Sequence, residues 1–450
     1  MTSQTMTSLD VQTPAALQAL VDEVLDRAKK RGVDGAEVSV SLSEGYAVEV
    51  RQGEVETLEY NRDKSMSLCV YQGQRSGTAT TSDLSPAALA STVDAACSIA
   101  TYTQEDPYGG LPEINQLAQA YPDCDLYHPW GLTPQEAIAF CQACEGEALA
   151  IDKRITNSEG VSLNTMASCY ALGNSLGFNG VVQKTRHSFS CVPLAQVGDE
   201  KQRDYEYTVA RAPEDLMEAS IVAKKAAHKV LQRLGARQVP TCAVPVLFAA
   251  PVARGLLQHF IAAISGGSLY RRASFLLDQV GKAIFPQWFH MKECPHLPRG
   301  LASAPFDGEG VRTTNRVLVD NGILQGYVLG SYSARKLGLT TTGNAGGIHN
   351  CVVENQDYDL KDLLKKMDRG FLVTELMGQG VNIVTGDYSR GATGFWVENG
   401  EIQYPVNEVT IAGSLPDMFR HLVAVGNDVD RRGAIQTGSI LIEEMMVGGI

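Results

Sequence analysis

Ala36-Glu-Val38-Ser-Val40-Ser-Leu42 alternates apolar and polar residues without a break, and the same period of two returns in Tyr46-Ala-Val48-Glu-Val50 and in Met66-Ser-Leu68-Cys-Val70. Successive side chains of a strand point to opposite faces, so this pattern describes strands with one packed and one wet face, an antiparallel meander. Ser43-Glu-Gly45 and Gln72-Gly73-Gln74 read as the turns between them. Helices flank the meander, and three begin with one device: a Ser or Thr cap followed by Pro, whose missing N–H would have no partner at that position. They start at Thr13-Pro14, with Leu17, Leu20, Val21, Val24, Leu25 and Ala28 on one stripe, at Ser85-Pro86, and at Thr133-Pro134-Gln-Glu136, which has capping-box spacing. Strand-like alternation resumes from Ile155 to Val209, and Pro213 to Leu234 reads as a helix. Strands and helices are grouped and do not alternate, which predicts an α+β fold.

The texture changes after Gly235-Ala-Arg-Gln-Val-Pro240. A boundary there divides the chain into an N-terminal domain, 1–235, with an antiparallel sheet and helices, and a C-terminal domain, 236–450, β-rich and Gly-rich with a few helices. Asn321-Gly322 and Asn399-Gly400 each sit between apolar strands and supply the two positive-φ residues that a type I′ hairpin demands.

Composition narrows the function. The chain has 38 Lys and Arg against 51 Asp and Glu, a formal charge of −13 that repels nucleic acid. The N-terminal Met1-Thr-Ser-Gln-Thr-Met-Thr-Ser lacks the basic and apolar regions of a signal peptide. The most apolar stretch, Ala243 to Ala253, is broken by Pro245 and Pro251, so no membrane span is expected. Ten cysteines without framework spacing read as reduced thiols in a cytoplasmic protein.

Eight histidines offer little for metal chemistry. A zinc-peptidase helix needs two His one turn apart with a Glu beside the first. His259 falls in a helix expected over Val252–Ile264, but Gly255, Leu256, Ala262 and Ala263 occupy the positions one turn away. Cys141-Gln-Ala-Cys144 has no second pair and lies inside a helix, where two small residues on a buried face are the simpler reading. Gly173-Asn-Ser175-Leu-Gly177 matches the serine-hydrolase elbow, yet Phe178-Asn-Gly-Val-Val follows in place of the required helix, so a hairpin turn is expected. A P-loop is missing from the sequence. What remains is a set of Gly-rich runs: Ser265-Gly266-Gly267-Ser268, Gly343-Asn-Ala-Gly346-Gly347-Ile-His349, Gly378-Gln-Gly380 and Gly386-Asp387-Tyr388. Glycine lets backbones approach closely, so these runs either line a cleft for an extended peptide or are tight turns between strands.

These stretches also carry a family resemblance. Arg271-Arg-Ala-Ser-Phe-Leu-Leu-Asp278, Gly300-Leu-Ala-Ser-Ala-Pro-Phe-Asp307, Ser331-Tyr-Ser-Ala-Arg335, Thr374-Glu-Leu-Met-Gly378-Gln-Gly380 and Gly386-Asp-Tyr-Ser-Arg-Gly391 resemble the PmbA (TldE) branch of the TldD/PmbA family. Asp34-Gly-Ala-Glu-Val, Gly53-Glu-Val-Glu and Leu126-Tyr-His-Pro129 agree, so the likeness runs from end to end.

The resemblance implies two α+β domains and one half of a TldD–TldE metallopeptidase complex that cleaves peptides and unfolded proteins, linked to microcin maturation and antitoxin degradation. Older naming in the family is modulator of DNA gyrase, which keeps a non-enzymatic regulatory protein acting on gyrase as the alternative. In the TldD subunit an H-E-x-x-x-H helix and a further Cys hold a divalent metal, expected to be zinc. The corresponding helix here bears His259, and neither Gln258, Phe260 and Ala262 nor Ala434-Ile-Gln-Thr437-Gly438 restores that set. The resemblance therefore implies no cofactor, no metal ligand and no catalytic residue in this chain, which would shape a chamber and hold substrate. Its candidate cleft residues are His259, Gly266, Gly267, Gly346, Gly347, His349, Gly378, Gly380 and Asp387. Expected partners are a TldD-like subunit and an extended peptide, with a homodimer the default for the isolated chain.

Overall fold

A computed structural model describes residues 14–449. In chain order its first half comprises α1 (Pro14–Lys30), β1 (Gly35–Arg51), β2 (Glu54–Gln72), β3 (Arg75–Thr81), α2 (Pro86–Tyr102), α3 (Pro134–Ala150), β4 (Ile155–Asn174), β5 (Asn179–Val197), β6 (Glu200–Arg203), β7 (Glu206–Ala210) and α4 (Ala219–Gln232). The second half adds β8 (Cys242–Phe248), α5 (Ala250–Ile264), α6 (Gly266–Tyr270), β9 (Met291–Glu293), β10 (Arg316–Asp320), β11 (Ile323–Leu324), α7 (Ser331–Leu337), β12 (Cys351–Val353), α8 (Leu360–Met367), β13 (Gly370–Met377), β14 (Val381–Asn382), β15 (Asp387–Glu398), β16 (Glu401–Ser414), α9 (Leu415–Arg420), β17 (Leu422–Val425), β18 (Ile435–Gln436) and β19 (Ile440–Gly448). Segregated helices and largely antiparallel sheets make this α+β, as the grouping of the sequence predicts.

The first sheet runs β3-β2-β1-β4-β5-β6, with β7 also on β5. Its apolar face is roofed by helices. Leu17, Val21 and Val24 of α1 and Leu89, Val93 and Ala96 of α2 pack on Val38, Val40, Leu68 and Val70. Ala137, Cys141 and Cys144 of α3 and Val222, Ala223 and Ala226 of α4 pack on Val48, Val161, Leu163 and Phe189. Ser85 and Thr133 cap their helices as the sequence predicts, with Thr133 and Glu136 forming the reciprocal capping box. Thr13 and the N-terminal segment before it lie outside the described residues.

One expected turn is absent. Ser43-Glu44-Gly45 continues a single strand, paired with Asp63-Arg62-Asn61 on one side and Ser168-Ala167-Met166 on the other. Gly45 serves close approach: a Cβ there would stand 2.1 Å from the Thr165 carbonyl oxygen. The actual turn is Gln52-Gly53, both at positive φ.

In the second half, a seven-stranded sheet ordered β13-β8-β19-β16-β15-β14, with β17 also on β19, and a five-stranded sheet ordered β11-β10-β9-β12-β18 enclose α5. Alternation decides the layers: Val246 and Phe248 of β8 face α5, while Leu247 faces Leu363, Leu364 and Met367 of α8 on the far side. The Asn321-Gly322 and Asn399-Gly400 hairpins join β10 to β11 and β15 to β16, with all four residues at positive φ as a type I′ turn requires. The two halves are bolted by charge: Arg432 contacts Glu206, Arg233, itself paired with Asp204, contacts Glu375, and Arg299 contacts Asp125, Glu214 and Asp215. Among the described residues no helix is long and apolar enough to cross a membrane.

Candidate functional site: helix α5 and the cleft between the halves

Pro at the first turn starts α5, and Ser439 Oγ accepts the Ala250 N–H at 3.0 Å. Ala253, Leu256, Leu257, Phe260 and Ile261 are buried at helical spacing, so Gly255, Gln258, His259 and Ala262 fall on the less buried face. The His259 ring lies edge-on to Tyr388, 5.9 Å between centroids. Burial, and then the Arg390 charge, hold His259 below the usual histidine range, so the imidazole is neutral at pH 7.

A divalent cation needs several neutral or anionic donors converging on one point. Among the described residues no group of three His, Cys, Asp or Glu is so placed. Beside His259 stand a phenol that burial pushes up to about 12 and a guanidinium that repels cations. This neighbourhood does not fit a metal.

The nine residues singled out by sequence do not all line one described cleft. Gly378 and Gly380 flank the approach to β14, where a Cβ on Gly380 would lie 2.2 Å from the Ser389 carbonyl oxygen. Asp387 is exposed at the start of β15, its carboxylate accepting from Thr385 Oγ1 at 2.5 Å. Gly266 and Gly267 open α6, where Gly266 allows α7 to pack, since a Cβ would sit 2.2 Å from Ser333 Oγ. Gly346, Gly347 and His349 line one cleft, of about 370 Å³, which the other six do not line.

That cleft lies between Tyr170, Val182 and Lys184 of the first sheet and two loops of the second half, 301–308 and 345–349, with Arg211 at its floor. Buried polar side chains hold the loops. Asp307 accepts N–H bonds from Glu309, Val311 and Ala345, each at 2.9 Å, although burial still pushes its carboxyl up to about 6. Glu293 accepts from the His349 N–H at 2.8 Å and from Asn344 Nδ2 at 2.7 Å. The His349 ring donates from Nε2 to the Gly343 carbonyl at 2.9 Å, which fixes its tautomer. Arg211 donates from Nη1 to Thr185 O at 2.8 Å and from Nη2 to Leu301 O at 2.6 Å, tying β5 to the first loop.

Sequence reasoning missed Lys184 and Arg211. The available signal was slight: Arg211 interrupts the apolar run Val209-Ala-Arg-Ala212. The other motifs take the structural roles expected of them. Ser175 sits in the turn between β4 and β5, where its Oγ accepts the Ala36 N–H at 3.0 Å. Cys141 and Cys144 are fully buried in α3, and all ten cysteines are free.

Comparison with known proteins gives one answer along the chain. Models of PmbA/TldA metallopeptidase domain 1, central domain and C-terminal domain match residues 36–100, 127–234 and 241–449. Metalloprotease PmbA of Escherichia coli O157:H7 is 50% identical over 433 residues, covering 96% of each chain, and a PmbA homolog of Haemophilus influenzae is 48% identical over 434 residues with the same coverage. A metalloprotease TldD homolog of Haemophilus influenzae is 22% identical over 452 residues. Among solved structures, a protein from Bacteroides thetaiotaomicron described as a modulator of DNA gyrase superposes with a TM-score of 0.91 at 28% identity, covering 96% of this chain and 99% of that one. TldE from Thermococcus kodakarensis shares the fold, with a TM-score of 0.84 at 21% identity, covering 96% of this chain and 100% of that one.

Proposed function

This chain belongs to the PmbA/TldD metallopeptidase family, and from that membership we propose that it is the TldE-type subunit of a two-chain peptidase, supplying chamber wall and substrate grip while a TldD-like partner supplies the metal. One observation carries the reading: α5 is built and seated in the core, yet its less buried face holds a single neutral His259 beside Arg390. The hydrolytic water is activated on the other chain, where a metal acts as Lewis acid. This chain contributes two parts, 1–235 and 236–450, and an inter-part cleft that accommodates extended peptide. Recognition through backbone would make selectivity broad, suited to unfolded proteins, antitoxin degradation and microcin maturation. The complex works in the cytoplasm.

The test is a peptidase assay on the purified chain, on a TldD-like partner from the same genome, and on the mixture. Cleavage is expected from the mixture, together with co-elution of the two chains. Metal-dependent cleavage by this chain alone would overturn the proposal. A second reading, regulation of DNA gyrase, is favoured by the description of two solved relatives as modulators of that enzyme. The charge of −13 disfavours its acting through DNA. Recovery of gyrase from lysate on the immobilised chain, with no TldD-like protein, would support it.

A further inference from the structure

Arg211 is 6% exposed and its guanidinium meets only neutral acceptors, the carbonyls of Thr185 and Leu301. Its Nε–H has no partner at all among the described residues. A buried charge without a counter-charge is costly, and proteins rarely leave one unpaired. Lys184 lines the same cleft, and the charge acting most on it is the like charge of Arg211. Burial lowers Arg211 to about 10, and crowding by the cleft walls lowers Lys184 below its usual range although its side chain still reaches solvent. Asp307, the only acid lining the cleft, has both oxygens engaged by backbone N–H groups. On the opposite wall the N–H groups of Gly346 and Ile348 have no acceptor among the described residues. One buried cation without a counter-charge, one solvent-exposed lysine and two residues whose amides have no acceptor among the described residues thus line one pocket, in a chain whose overall charge is strongly negative.

We infer that this cleft is a carboxylate site: Lys184 and the wall of Gly346 to Ile348 bind a carboxylate of the peptide that the chain holds, with Arg211 supplying fixed positive potential from beneath. The inference rests on the peptide-holding reading and adds an anchor to it. A cleft of about 370 Å³ admits one or two residues, and Tyr170, Val182 and Ile348 offer apolar surface for their side chains. The carboxylate is either the C-terminus of a peptide or an Asp or Glu side chain.

The experiment is calorimetric titration of the full chain, without partner, with three N-acetylated tetrapeptides: one with a free C-terminus, the same sequence amidated, and an amidated version with one Glu. The free acid is expected to bind about tenfold more tightly than the uncharged amide, a factor that one charge-assisted hydrogen bond supplies. Lys184→Gln should abolish that preference and Lys184→Arg should restore it. If the amidated Glu peptide matches the free acid, the site takes side-chain carboxylates as well as C-termini. If it matches the uncharged amide, the site takes C-termini. Equal binding of acid and both amides, binding of none, an unchanged preference in Lys184→Gln, or equally strong displacement by inorganic phosphate would each overturn the inference. Because the partner is absent from this titration, its failure is separate from failure of the two-chain peptidase reading, which rests on cleavage by the mixture.

Discussion

Arg254 of α5 donates from Nη2 to the hydroxyl of Tyr207 on β7, 2.9 Å away, and from Nη1 to the Arg432 carbonyl at 3.2 Å. Helix α5, which bears His259, is thus fastened to the first sheet. Arg432 completes the joint, with its guanidinium 4.3 Å from the Tyr207 ring centroid and its Nη1 donating to Glu206 Oε1 at 2.5 Å.

Removing Arg432 should therefore loosen both halves. Arg432→Ala strands Asp430 and weakens the pairing of Glu206, two carboxylates under 10% exposed, although Glu206 keeps Lys229 at 2.8 Å. The expected loss is about 3 kcal/mol, the usual cost of breaking a buried pair from one side. Burial alone would raise Glu206 and Asp430, but Lys229 and Arg432 outweigh it and hold both below the usual carboxylate range. Their contribution is present above the ordinary carboxylate range and is lost as pH falls through it and below. Denaturant titration at pH 7 and pH 3 should show a large difference between wild type and variant at the higher pH and a small one at the lower.

Glu37 predicts the opposite slope. Burial, with the charges of Glu309 and Asp307 across the joint, pushes its carboxyl from the usual 4.5 up to about 7. A raised acid favours the fold while protonated, so stability is full below about pH 4.5 and declines as pH rises through 7. Glu37→Gln should match wild type near pH 4 and exceed it by about 2 kcal/mol at pH 8, because each tenfold change in proton affinity is worth about 1.4 kcal/mol and partial exposure screens some of it. Equal stabilities at pH 8 would refute the assignment.

Metal content tests α5 directly. The purified chain, dialysed against zinc and then buffer, should retain well under one equivalent by mass spectrometry of the metal. Retention of a full equivalent that disappears in His259→Ala would show that the helix holds a metal after all.

Two glycine substitutions separate space from backbone strain. Gly322 has φ +74°, and a Cβ there would stand 2.2 Å from Phe285 O and 2.5 Å from Pro286 O. Gly53 has nearly the same φ, +76°, with nothing within 4 Å. Gly53→Ala should cost about 1 kcal/mol, from conformation alone. Gly322→Ala should cost about 3 kcal/mol or more, because backbone carbonyls must also shift. Thermal denaturation of both variants gives the comparison.

Local rules were legible wherever one residue's chemistry decides one feature. The period of two along Ala36 to Leu42, the Ser85 and Thr133 caps and the two Asn-Gly turns are properties of short segments, and each recurs in the fold as read. The same rules misplaced a turn at Ser43-Glu44-Gly45. Polar residues there satisfy a turn equally well, and only pairing with strands on both sides keeps the chain extended.

By itself the sequence determined the α+β grouping, the family, and the lack of a paired metal motif around His259, because these depend on residue type at fixed spacing. Tertiary structure alone decided which glycines share a space. Gly346, Gly347 and His349 came together with Lys184 and Arg211, residues distant in the chain, because the first sheet and the loops of the second half close on each other there. Whether a cation is compensated depends on what packs against it, and that is set by the fold and not by its neighbours in sequence.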